Sequence, residues 1–235
     1  MKILAFDGTA KAASVAMLDG ERVLGYYTVD NGLTQSELLL PMAENLLKSL
    51  KLTFDDVELY ATSVGPGSFT GVRIGVSLIK GLAFGRNIPC VEVSTLEALA
   101  ESLSGIPGIV VPCMDARRAQ VYSATFRSGD GGLVRLTDDR AISLSALAEE
   151  LSEYKEDIYL VGDGYAVSKT AMDKAGVTTA KTPELLILEN AVSVGRVAQR
   201  KYNAGEFVSD EELSPVYLRL PQAERERLER EAAKK

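Results

Sequence analysis

The chain has 235 residues, a formal net charge of −7 at neutral pH and no histidine. That length buries a sizeable core in one large domain or two small ones, and the acidic balance opposes unaided binding to a nucleic acid backbone, where counterion release needs a basic face. Without imidazole there is no Ser-His or Cys-His nucleophile pair, no HExxH zinc site and no imidazole proton shuttle, which leaves carboxylates, Lys, Tyr, Ser or an oxygen-held metal for any chemistry.

In chain order, the start MKILAFDGTAKAAS has no long apolar signal core with a cleavage site behind it, and no apolar run approaches the roughly 20 residues of a membrane span, so a cytoplasmic protein is expected. KILAFD, ASVAML and RVLGYYTV read as three strands, the last two joined by the hairpin dipeptide Asp19-Gly20. Residues 34–50 read as an amphipathic helix with Thr34 and Glu37 as a capping box, and Pro41 predicts a kink or an interruption. A buried strand, VELYATSVGPGS, runs into the glycine loop, and the helix after it is apolar almost all round, so it needs cover on several sides. PCVEVS is a further strand, and Ser94 caps the helix LEALAESLSG. Cys90 and Cys113 stand far apart in apolar strand-like surroundings and are expected as buried free thiols.

From about residue 105 the pattern begins again. A strand ending at Asp115, a polar turn and a second strand echo the first strand, which ends at Asp7. A period of about a hundred residues predicts two related lobes. The second continues through the hairpin SGDGGLVRLTDDRAIS, the helix LSALAEELSE, the strand DIYLVGDG and the helix AVSKTAMDKAG. The expected boundaries are residues 1–103 and 104–188 for the lobes, 189–221 for a helix closed by Gly205 and an extended segment that pack back on them, and 222–235 for a charged tail, frayed helix or disordered.

Asp7 and Asp115 could aim two carboxylates at a nucleotide's magnesium, with the VGDGYA turn around Gly162 and Gly164 on the nucleoside side, or could satisfy turn amides at strand ends. Gly65, Gly67 and Ser68 could cradle an anion at a helix N-terminus, but they fit neither GxxxxGK[ST] nor GxGxxG. The reading kept first is a tight turn and a closely packed helix. DARRAQ places Ala116, Arg117 and Arg118 where a phosphate would want glycine. In the first helix Leu39, Leu46, Leu47 and Leu50 form one face while Leu38 and Met42 sit off it, which points to a covering protein chain or to a sandwiched helix.

Six blocks, ILAFDGTAKAASVAML, TQSELLLPM, SVGPGSFTGVRIG, VSTLEALA, MDARRAQVY and LSPVYLR, resemble in order the TsaB (YeaZ) family of subunits for threonylcarbamoyladenosine formation in tRNA, within the glycoprotease-like (peptidase M22) group. The match extends to about Pro221. The resemblance implies an α/β actin-like ATPase (sugar kinase and Hsp70) fold of two lobes, each with a mixed sheet and flanking helices. It implies a non-catalytic platform that binds and activates the transferase TsaD, which holds a metal with histidines and acts at position 37 of tRNAs, together with the ATPase TsaE. It also implies a homodimer in the free form, tRNA contact only through the complex, no membrane, and no cofactor beyond weak ATP or ADP binding.

The expected partner face is Leu38, Leu39, Met42 and Leu46 on residues 34–50 with Thr70, Arg73, Ile74 and Ser77 on residues 70–85. Asp7, Gly65, Gly67, Ser68, Asp115, Arg117, Arg118, Gly162 and Gly164 are expected as a vestigial nucleotide or anion site, with no catalytic residue and no metal ligand. Two departures from the family pattern stand out, Gln35-Ser36-Glu37 for HSE and Asp7-Gly8-Thr9-Ala10 for DTST. The rival readings are a Mg-ATP phosphotransferase or ATPase working in the lobe cleft, and a glycoprotease-like peptidase, which the missing histidine disfavours.

Overall fold

The computed structural model describes residues 1–219; the expected tail, 222–235, lies outside the described residues. Three strands, β1 (Lys2–Asp7), β2 (Ala13–Asp19) and β3 (Arg22–Val29), form an antiparallel meander whose second turn is made by Gly20 at φ 57°. After α1 (Gln35–Leu50), β4 (Leu59–Gly65) joins β1 in parallel; α2 (Phe69–Ala83), β5 (Cys90–Ser94) and α3 (Thr95–Glu101) follow. The resulting five-stranded order is β3-β2-β1-β4-β5.

Both faces of this sheet are covered, which is why its central strands read as continuous apolar runs rather than alternating ones. On one face Leu4, Phe6, Val15 and Met17 pack against Leu39, Ala43, Leu46 and Leu47 of α1 and Val72, Val76 and Ile79 of α2. On the other, Ile3, Ala5, Ala16 and Leu18 meet Val194 and Val197 of α6 (Ala191–Asn203), which comes from far along the chain. Each of the larger side chains contributes about 1.5–3 kcal/mol by leaving water, the alanines less. The Thr34 capping box at the start of α1 is formed as the sequence predicts. No interruption occurs at Pro41: it lies on the exposed side, and the carbonyl it leaves without a donor belongs to exposed Glu37, where solvent can satisfy it.

The second lobe starts with β6 (Gly108–Asp115), followed by β7 (Gln120–Ser123), β8 (Phe126–Gly129), β9 (Gly132–Arg135) and β10 (Arg140–Ser143), then α4 (Leu144–Leu151), β11 (Ile158–Val161) and α5 (Tyr165–Ala175). Cys113 pairs with Ser123 and Gly108 with Ser128 in one unbroken register, so β7 and β8 are two halves of a single strand along β6. β10 and β9 flank those halves, and β11 joins β6 in parallel. An antiparallel trio extended by a parallel strand repeats the arrangement around β1. The echo in the sequence is therefore a structural repeat of two α/β lobes, each with a mixed sheet and flanking helices.

α3 lies between the sheets. Its Leu96 and Leu99 pack on Val110, Met114 and Phe126 of the second lobe. At its end buried Glu101 takes both guanidinium nitrogens of Arg200 on α6 at 2.9 and 2.8 Å, a bidentate pair that fixes orientation as well as adding energy.

α2 is pressed onto the turn between β1 and β2. A Cβ on Gly71 would overlap the carbonyl oxygen of Gly8, and one on Gly67 would lie 2.5 Å from that of Thr9. Neither oxygen belongs to a side chain that can swing aside. Gly71→Ala is therefore expected to destabilise the fold by about 3 kcal/mol or more, read as a lowered denaturant midpoint.

Candidate functional site: the seam between the lobes

β1 and β6 end in the same local device. Asp7 Oδ1 accepts the Thr9 amide at 3.0 Å, and Asp115 Oδ1 accepts the Arg117 amide at 2.8 Å, so each carboxylate closes its own turn two residues on. Asp7 also takes the Thr9 hydroxyl at 2.7 Å and, through Oδ2, the Ser63 hydroxyl of β4 at 2.6 Å. Burial pushes the Asp7 carboxyl up, against the lowering effect of those bonds. Asp115 is exposed, and its second oxygen stands 3.5 Å from the Arg117 guanidinium. The turn-capping reading accounts for both residues.

Two of the glycine loop's amides are spent on the chain itself. The Ser68 amide donates to the Thr9 carbonyl at 2.7 Å, and the Gly71 amide donates to the Ser68 hydroxyl at 3.2 Å as a helix cap. A Cβ on Gly65, whose φ is 123°, would overlap the Val216 carbonyl. Across the seam, the Gly164 amide donates to the Cys113 carbonyl at 2.9 Å and the Gly162 amide to the Ile187 carbonyl at 2.5 Å. These glycines let a loop lie flat on β6. In the neighbouring turn Arg117, Arg118 and Ala119 all have left-handed φ, at 64°, 53° and 56°, and all three are exposed. Left-handed backbone costs a non-glycine residue about 1–2 kcal/mol.

Two participants escaped sequence reasoning. Glu189 is 2 % exposed, and neither of its carboxylate oxygens has a hydrogen-bond partner among the described residues. Burial, then the nearby charges of Asp7 and Asp163, push it up to about 8. Asp163 is itself raised by burial and by Asp115, while Lys11 of the first lobe's turn and Arg117 act the other way; its Oδ1 accepts the Asp115 amide at 3.0 Å. Carboxyls from both lobes thus converge on the connection that carries the chain into α6. Asp163 lay inside a motif noted only for its glycines, and Glu189 is a single acidic residue in a short loop with no pattern around it. An arriving polyphosphate would meet three carboxyls here beside Lys11 and Arg117, and a loop whose Ser68 amide is already committed.

The expected partner face needs correction. Leu39, Met42 and Leu46 are 1 %, 7 % and 3 % exposed, because α1 turns one wide face, Met42 included, into the core beneath it. They cannot present a surface. Leu38 and Ile74 are half-buried at the edge of that core, while Thr70, Arg73 and Ser77 are exposed along α2. The outer side of α2 is left exposed by the described residues of this chain, and Phe84 just beyond it is 78 % exposed. The Arg73 guanidinium lies 3.8 Å from the centre of the Phe69 ring, and its Nε donates to the Tyr217 hydroxyl at 2.7 Å.

Because the folded chain keeps a proton on Glu189 that the unfolded chain releases near 4.5, this group's contribution is full below that pH and is lost as pH rises through about 8. Glu189→Gln is expected to flatten the fall in stability between those limits, followed as melting temperature against pH. Ala119→Gly, which relieves a left-handed residue at an exposed turn, is expected to stabilise by about 1 kcal/mol in urea unfolding.

A sequence model for the family described as TsaD, tRNA N6-adenosine threonylcarbamoyltransferase, matches residues 34–227. The chain is 30% identical over 233 residues to the tRNA threonylcarbamoyladenosine biosynthesis protein TsaB of Bacillus subtilis, covering 95% of this chain and 96% of that one. It is 29% identical over 222 residues to TsaB of Escherichia coli, covering 93% and 95%. The solved structure of YeaZ from Pseudomonas aeruginosa superposes with a TM-score of 0.76 at 27% identity, over 92% of this chain and 99% of that one. Similarity of this extent, together with the repeated two-lobed fold, shows that the chain belongs to the TsaB family of tRNA threonylcarbamoyladenosine biosynthesis proteins, within the group that the transferase model describes.

Proposed function

We propose that the chain is a non-catalytic subunit for threonylcarbamoyladenosine formation in tRNA: it binds and activates the transferase TsaD, works alongside the ATPase TsaE, and meets tRNA only through that assembly. The observation that carries this reading is the state of the seam. The Thr9 and Val216 carbonyls press on the glycine loop, the Ser68 amide is taken by Thr9, and Asp7, Asp163 and Glu189 gather at the seam. The absence of histidine adds support, since a histidine-held metal is what the resemblance implies for the transferase.

Docking belongs on the outer side of α2, where Thr70, Arg73 and Ser77 are exposed, with Leu38 and Ile74 at its inner margin. A match to the transferase family's own model supports a partner of the same architecture, able to offer equivalent helices in a pseudo-symmetric pairing. The free chain pairs with a second copy through the same face.

The expected result on a sizing column is a heterodimer of wild-type chain with TsaD, weakened about tenfold or more by the double substitution of Arg73→Glu and Ser77→Glu. Neither side chain is buried, so the variant keeps its fold, and undiminished co-elution would refute the docking face. Calorimetry with Mg-ATP separates the phosphotransferase reading: tight binding abolished by Asp7→Ala would favour it over the scaffold.

A further inference from the structure

We propose that residues 213–219 are a strap that ties the two lobes together across the mouth of the seam and holds them at one spacing. The segment is anchored in the first lobe by Leu213, which is fully buried in the core beneath α1 and α2, and by the Ser214 amide, which donates to Glu92 Oε1 of β5 at 2.8 Å. It then follows the end of β4: the Val216 amide donates to the Val64 carbonyl at 2.8 Å, and the Val216 carbonyl faces Gly65 at a distance that leaves no room for a side chain. The Tyr217 ring stacks on Phe69 of α2 with centroids 4.8 Å apart.

Two residues further on, the same segment holds the other lobe. Arg219 donates through Nη1 to the Ala116 carbonyl at 3.3 Å and through Nη2 to the Gln120 side-chain oxygen, and its guanidinium lies 5.5 Å from the Tyr122 ring. Ala116 and Gln120 are the two ends of the turn in which Arg117, Arg118 and Ala119 are left-handed. One planar fork therefore clasps both ends of the turn that most needs support, while the backbone three residues earlier is fixed to the opposite lobe.

The lobes are also joined by α3, which packs on both sheets, and by the connection through Ile187 and Ala191, which bonds Gly162 of one lobe and Ser14 of the other. The strap supplies a further point of attachment, and separated attachments resist an opening that fewer would allow. The inference does not depend on what docks on α2.

Native-state hydrogen exchange on the full chain tests it. In Arg219→Ala the amides of residues 116–120 and the Val216 amide are expected to exchange about tenfold faster together, while amides in α1 keep wild-type rates. Loosening of the turn with Val216 unchanged would reduce Arg219 to a local brace and overturn the proposal, as would no change at either end. Gln120→Ala, which removes one acceptor and leaves Arg219 in place, is read the same way and is expected to loosen both ends to a smaller degree. If Arg219→Ala fails to fold, the Gln120→Ala result decides between the two outcomes.

Discussion

The hydrogen bond from the Ser68 amide to the Thr9 carbonyl brings the glycine loop, the turn after β1 and the first turn of α2 to one point. It requires main chain to meet main chain, so Gly8, Gly67 and Gly71 surround it. With α2 fixed there, Val72, Val76 and Ile79 fall onto the sheet, and the opposite side of the helix, with Thr70, Arg73 and Ser77, is left outward. The same contact turns what looks like an anion cradle into an internal joint. A phosphate at the Ser68 amide would have to break a bond that sets the position of the helix.

The seam shows how a repeated design has been used differently in its halves. Both lobes close a turn with an aspartate at the end of the central strand. In the first, Gly8 and Thr9 make the turn compactly and bury Asp7; in the second, three left-handed residues carry it outward and Asp115 is exposed. Glu189, between the lobes, feels the charges of Asp7 and of Asp163. A neutral carboxyl there spares the seam one more charge where water cannot screen it, and this joins the lobes' packing to a single proton.

Much of the fold was legible because local chemistry and pattern agreed. Asp19-Gly20 fixed the hairpin, Thr34 with Glu37 and, further on, Ser94 marked helix starts, and Asp7 and Asp115 marked equivalent strand ends. What was not legible was destination. Periodicity gave α1 a leucine face but could not say that Met42 would join it, because helix width in the core depends on what lies beneath. The candidate nucleotide residues were placed near one another by reasoning on strand ends, but whether the Ser68, Gly164 and Gly162 amides were free depended on Thr9, Cys113 and Ile187, whose carbonyls carry no sequence signal. Glu189 was invisible for the same reason: its burial is produced by the meeting of two lobes.

The path of α6 has a consequence for the order in which the molecule is made. The five strands of the first sheet have all been synthesised by residue 94, yet the face formed by Ile3, Ala5, Ala16 and Leu18 is sealed by Val194 and Val197. Through the whole synthesis of the second lobe, the first is an open sandwich with one side covered only in part, by Ala98 of α3. A nascent chain halted between the two would display that apolar face to the ribosome's surroundings, so the second lobe is in effect an insertion that delays completion of the domain enclosing it.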